Sequence, residues 1–144
     1  MANASDNRRD LISRIGVGYL LVQGVAAAAW WATLLLGPES RVHFLAPGAP
    51  EVTLLAFLLP DVVLFAGASV LAAAGLARKA AWAWPVLCAH AGAGAYAALY
   101  CLSLTAMTGG GAWPGAVLMA PSLVVPPWLA WRLRPGREPA GRVA

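Results

Sequence analysis

Apolar and polar positions do not alternate along most of this chain; they separate into long blocks. Four nearly uninterrupted apolar runs, Ile15 to Leu36, Val52 to Ala77, Ala80 to Met107 and Ala112 to Leu133, are parted by short polar or Gly-rich segments. A helix rising about 1.5 Å per residue needs roughly 20 residues to cross a hydrocarbon core of about 30 Å, and each run is long enough. Barrel strands do not fit, because they alternate over about 10 residues whereas these runs are apolar on every face. The pattern predicts an all-α integral membrane protein with transmembrane helices over about 11–36, 52–77, 80–107 and 112–133 and a tail over 134–144, forming a single domain over 1–144. The link at Arg78 and Lys79 is so short that the second and third helices must form an antiparallel hairpin, and an up-down-up-down bundle follows.

Composition strengthens this reading. The chain is 60% hydrophobic and 11% charged, with a mean hydropathy of +0.70, against about 25% charged residues in a soluble domain. A soluble fold of this size has too little polar surface here to face water. The cations then give an orientation. Arg8, Arg9, Arg14, Arg78, Lys79, Arg132, Arg134, Arg137 and Arg142 flank one side of the predicted spans, and only Arg41 lies on the other. By the positive-inside rule both termini are expected in the cytoplasm. These cations flank helices rather than forming a patch interleaved with stacking aromatics, so the basic pI does not point to nucleic acid.

The tryptophans fall where interfacial anchors belong. Trp30, Trp31 and Trp113 lie at predicted outer ends, and Trp82, Trp84, Trp128 and Trp131 at predicted inner ends. The first apolar run is longer than a signal-peptide core, and Arg8 and Arg9 followed by Asp10 read as a cytoplasmic flank, not an export signal. With its Arg-over-Lys, Ala-rich composition, the expected location is a bacterial cytoplasmic (inner) membrane, crossed several times.

Small residues at spacings of four mark expected helix contacts, namely Gly24 with Ala28, Ala68 with Ala72, Ser69 with Ala73, and Gly94 with Ala98. Pro121, Pro126 and Pro127 each remove a backbone donor, so the inner half of the fourth helix is expected to be kinked or partly unwound. Pro60 is expected to loosen the second helix in the same way.

Against this background one carboxylate stands out. Asp61 is the only acidic residue in any of the four runs, and an ionisable group at that depth costs roughly 2.5–3.5 kcal/mol on insertion scales. Depths taken at about 1.5 Å per residue put Asp61 level with Tyr96, with Tyr100 one turn further out, and put Gln23 level with His90 roughly 9 Å deeper. These five residues are the candidate buried polar site. A protonated Asp61 bonded to the Tyr96 hydroxyl is the simplest satisfied arrangement. Plain structural roles exist for the others: interhelical glue for Gln23, a satisfied bundle histidine for His90, and core packing for the tyrosines.

No cofactor or metal is expected. Cys88 and Cys101 lie about 20 Å apart on one helix and cannot pair. Glu39, Arg41, His43 and Glu51 in the first connection read as a solvated loop, and no catalytic constellation or metal-ligand spacing is present. Three functions remain open. The first is a non-catalytic subunit or accessory of a membrane assembly, as a homo-oligomer or part of a larger complex in the lipid bilayer. The second is a proton-linked small-molecule carrier or ligand binder using Asp61. The third is an enzyme acting on a lipid or quinone-like substrate.

Overall fold

A computed structural model describes residues 4–136. The first three residues and most of the expected tail, with Arg137 and Arg142, lie outside the described residues. The described residues are mostly helical, with no strand among them, and four of the helical stretches are long and apolar enough to cross a membrane: Asn7–Leu36, Val52–Ala77, Ala83–Met107 and Trp113–Arg132. It is a multi-pass membrane protein by that measure.

The first span belongs to α1, Ala4–Leu36. Its C-terminal carbonyls need partners once the helix stops, and Arg41 supplies one, donating from Nε to the Leu34 carbonyl at 2.8 Å. Arg41 sits in a 3-10 segment, Pro38–Phe44, and its guanidinium also pairs with Glu51 at 2.8 Å. The first connection is thus tied back onto the helix it leaves.

The second span is not one regular helix. It runs through α2 (Val52–Leu55), α3 (Leu58–Pro60), a π-helical segment (Asp61–Gly67) and α4 (Ala68–Ala77). Pro60 lacks the N–H that would bond the Ala56 carbonyl, and the π segment begins at the next residue. The third span, α5 (Ala83–Met107), and the fourth, α6 (Trp113–Arg132), are continuous.

The unwinding expected of the fourth helix is therefore absent. Helix α6 carries Pro121, Pro126 and Pro127 inside an unbroken stretch, because each proline deletes a single donor and the helix packs closely along α5. The loss of α geometry falls in the second span, directly after Pro60, where loosening was also expected.

Close approach is set by small residues. A methyl group on Gly24 of α1 would lie 2.9 Å from Val70 Cγ2, so only glycine lets the second span come this near. Beside it, the buried Ser69 hydroxyl donates to the Leu20 carbonyl at 2.7 Å, and Ala72 and Ala73 join Leu20, Leu87, Leu129 and Leu133 in the core. Gly94 and Ala98 are likewise buried on α5, whereas Ala28, expected to share the face of Gly24, is exposed. The turn into α5 is equally tight, since a methyl on Gly75 would meet Ala83 Cβ at 2.8 Å and a Trp82 ring carbon at 2.7 Å.

One end of the molecule gathers charge. Lys79 reaches Asp10 at 3.1 Å, Arg9 donates to the Leu133 carbonyl at 3.4 Å, and Trp84 Nε1 donates to the Ala130 carbonyl at 2.9 Å. The opposite end carries the first connection, which packs near the Gly-rich link before α6. Helix α1 packs on the second span, the second on α5 and α5 on α6, while α1 and α6 meet only sparingly.

Candidate functional site

The gap that this sparing contact leaves is a cavity of about 420 Å³ in the half of the molecule that carries Trp30 and Phe44. Its walls are single helix faces. From α1 come Tyr19, Gln23, Ala27 and Trp30, and from the second span Phe57, Asp61 and Phe65, all at spacings of three or four that put side chains one above the other. Helix α5 adds Tyr100, Cys101 and Leu104, and α6 adds Gly115, Met119 and Ser122. Phe44, Leu45, Ala46 and Ala49 of the first connection line the far end.

The deep end of the cavity is polar. His90, with no exposed surface, sits behind it and places Nε2 3.0 Å from Gln23 Oε1. The Gln23 amide nitrogen donates to Ser122 Oγ at 2.8 Å, and Tyr19 lines the cavity with them. The remaining ring nitrogen, Nδ1, faces the Leu64 carbonyl of the π segment at 3.4 Å, and the ring tilts against Phe65 with centroids 5.4 Å apart. Three spans and the π segment therefore meet through side chains rather than through backbone alone.

Both imidazole nitrogens of His90 face oxygens that accept. A neutral ring donates from only one nitrogen. Turning the Gln23 amide over, so that its nitrogen donates to His90 and its oxygen accepts from the Ser122 hydroxyl, satisfies every group with a neutral ring protonated on Nδ1.

Asp61 stands nearer the end of the cavity lined by the first connection and is half-buried. Its partner is Trp31, whose indole nitrogen donates to Oδ2 at 3.1 Å. Trp31 is 2% exposed, so it is a buried hydrogen-bond donor and not the interfacial anchor expected of it. Trp30 is half-buried as well, edge-on to Trp31 at 4.8 Å and to Phe44 at 5.3 Å, and its own indole nitrogen is buried without a partner. Two adjacent helical positions point about 100° apart, so one ring lines the cavity while the other turns to the second span. Trp82, Trp113, Trp128 and Trp131 are exposed, as anchors would be, and Trp84 is half-buried.

Tyr96 does not belong to the site. It is 70% exposed and makes no bond to Asp61. Depth matched, but Tyr96 lies six residues from His90 on α5, about 120° round the helix from that buried face. Tyr100 does reach the cavity, with its ring against Phe57 at 5.0 Å. Of the five candidates, Gln23 and His90 are in direct contact, Asp61 and Tyr100 line the same cavity, and Tyr96 faces outward.

Sequence reasoning passed over Tyr19, Phe65 and Ser122 as site residues and took Trp31 for an interfacial anchor. Tyr19 had a readable signal, one helical turn before Gln23. Cys88 and Cys101 are free thiols, and Cys101 lines the cavity together with Asp61. Among the described residues no group of three or more His, Cys, Asp or Glu side chains is placed to hold a metal. No protein-family model matches this chain, and no curated protein or solved structure is significantly similar to it.

Proposed function

We propose that this protein is a membrane-embedded binder of a small, mostly apolar molecule, held between its four spans. The observation that carries this is the cavity of about 420 Å³, which lies within the 300–1,000 Å³ range of ligand pockets and shares their composition, apolar walls with a few convergent polar groups. Gln23, Ser122 and Tyr19 orient a polar atom at the deep end, and Asp61 does so nearer the end lined by the first connection. The sparing contact between α1 and α6 gives a lipid-soluble molecule a lateral way in.

The proposal includes an up-down-up-down bundle with both termini in the cytoplasm of a bacterium and the first connection on the outer side of its inner membrane. Supporting it, the start of α1, the Arg78–Lys79 link and the end of α6 share one end, where most cations sit. A cavity inside the protomer also favours ligand binding over the role of an assembly subunit, which needs no internal space.

The test is to fill the cavity from two walls. Ala27→Trp places an indole in it from α1, and Gly115→Leu does so from α6, where an added Cβ meets only Cys101 Sγ at 3.8 Å. Saturation binding of neopentylbenzene to the protein in nanodiscs is expected to be lost in both variants. Binding that survives in folded forms of both overturns the proposal.

A further inference from the structure

The chain has three phenylalanines, and all three, Phe44, Phe57 and Phe65, line this one cavity. Tyr19, Tyr100 and Trp30 join them. An apolar pocket that only holds hydrocarbon has no need of rings, and alanine, leucine and valine are the commonest apolar residues of the spans. Aromatic faces differ from aliphatic side chains in one respect that matters here: their quadrupole presents negative potential to whatever lies over the ring.

The cavity has a second negative feature. Among the described residues Asp61 is the only acidic one on its wall, and no lysine or arginine lines it. Trp31 occupies Oδ2 at 3.1 Å, while Oδ1 takes no hydrogen bond from the protein and is not among the sealed polar atoms. Arg41, the cation of the adjoining connection, is committed to Glu51 and to the Leu34 carbonyl. Along its own segment Asp61 is flanked four residues away on either side by Phe57 and Phe65, and across from it stands the Tyr100 ring, packed on Phe57.

Resting on the ligand-binding reading, we propose that the molecule bound is a lipophilic organic cation, an amine or quaternary ammonium with an apolar body. The aromatic rings attract the cation through their faces, as in cages that recognise quaternary ammonium groups. The free oxygen of Asp61 is the counter-ion, a role that explains a carboxylate at membrane depth. A cavity of about 420 Å³ lies toward the lower end of the range of ligand pockets, so the ligand is a compact cation.

The test uses benzyltrimethylammonium and neopentylbenzene, which have the same shape and differ in the charged nitrogen. Binding of each to the unaltered protein in nanodiscs is measured by equilibrium dialysis, with the Ala27→Trp variant giving the signal due to lipid alone. The cation is expected to bind about tenfold or more tightly than the neutral isostere, and Asp61→Asn is expected to abolish that preference, read as the ratio of the two affinities in the variant. Equal or tighter binding of the isostere overturns the cation proposal and leaves the apolar binder standing. A preference that persists in Asp61→Asn overturns the counter-ion role and the proposal with it. Failure of both probes to exceed the Ala27→Trp signal removes both readings.

Discussion

The contact between Trp31 and Asp61 joins two residues whose sequence signals point to different roles. A carboxylate at membrane depth needs a donor, and the indole N–H at 3.1 Å provides it without adding a charge. Trp31→Phe keeps most of the ring and removes that donor, leaving the carboxylate short of one partner. The expected cost is about 1–3 kcal/mol, read as a lowered thermal unfolding midpoint in one detergent, while Trp82→Phe at an exposed ring should change little. Depth along a helix was legible at this scale, since Gln23 and His90 share a level and touch at 3.0 Å. Direction around the helix was not. Tyr96 has the depth of Asp61 and faces outward, because in a helix apolar on all sides no periodic pattern reveals which face is inside. The adjacent pair Trp30 and Trp31 has the same problem, and only packing decides which ring is buried.

Helices as units were easier to locate than to shape. The apolar runs gave the four spans to within a few residues, and of the four prolines expected to disturb a helix only Pro60 precedes a loss of α geometry. Three prolines leave α6 continuous, whereas the single Pro60 opens a span that turns to π geometry at Asp61. Proline states that a donor is missing; whether the helix stays regular depends on what packs beside it, and that is a tertiary property. The hairpin between α4 and α5 was legible from its short link, and its tightness rests on Gly75. Gly75→Ala forces its methyl to within 2.8 Å of Ala83 Cβ, so it should destabilise by about 1–3 kcal/mol, as overpacked sites do. Gly18→Ala, with nothing within 4 Å of the added carbon, should be neutral or stabilising by up to about 1 kcal/mol through helix propensity. Thermal unfolding of the two variants side by side checks both.

At the scale of the whole molecule, hydropathy and charge foretold a multi-pass membrane protein and were silent about the cavity. A cavity arises from the sparing contact between α1 and α6, two elements far apart in sequence, and no local pattern encodes it. The proposed orientation is open to direct measurement in cells. In a background with Cys88 and Cys101 replaced by alanine, Ser40→Cys should react with a membrane-impermeant maleimide from outside, and Arg134→Cys should react only after lysis; the reverse pattern refutes cytoplasmic termini. The π-helical stretch also bears on the history of the chain. A π turn accommodates one residue more than an α turn between its bonded ends, so the second span can shed Val62 or Val63, both exposed, by reverting to α geometry, with Asp61 kept on one side of the loss and Phe65 and Ser69 on the other. The same loss ahead of Gln23 in α1 would swing that side chain about 100° away from His90. Length variation among descendants of this sequence is therefore expected to collect beside Asp61, where a deletion is silent, and to be purged from α1, where it would dismantle the polar end of the cavity.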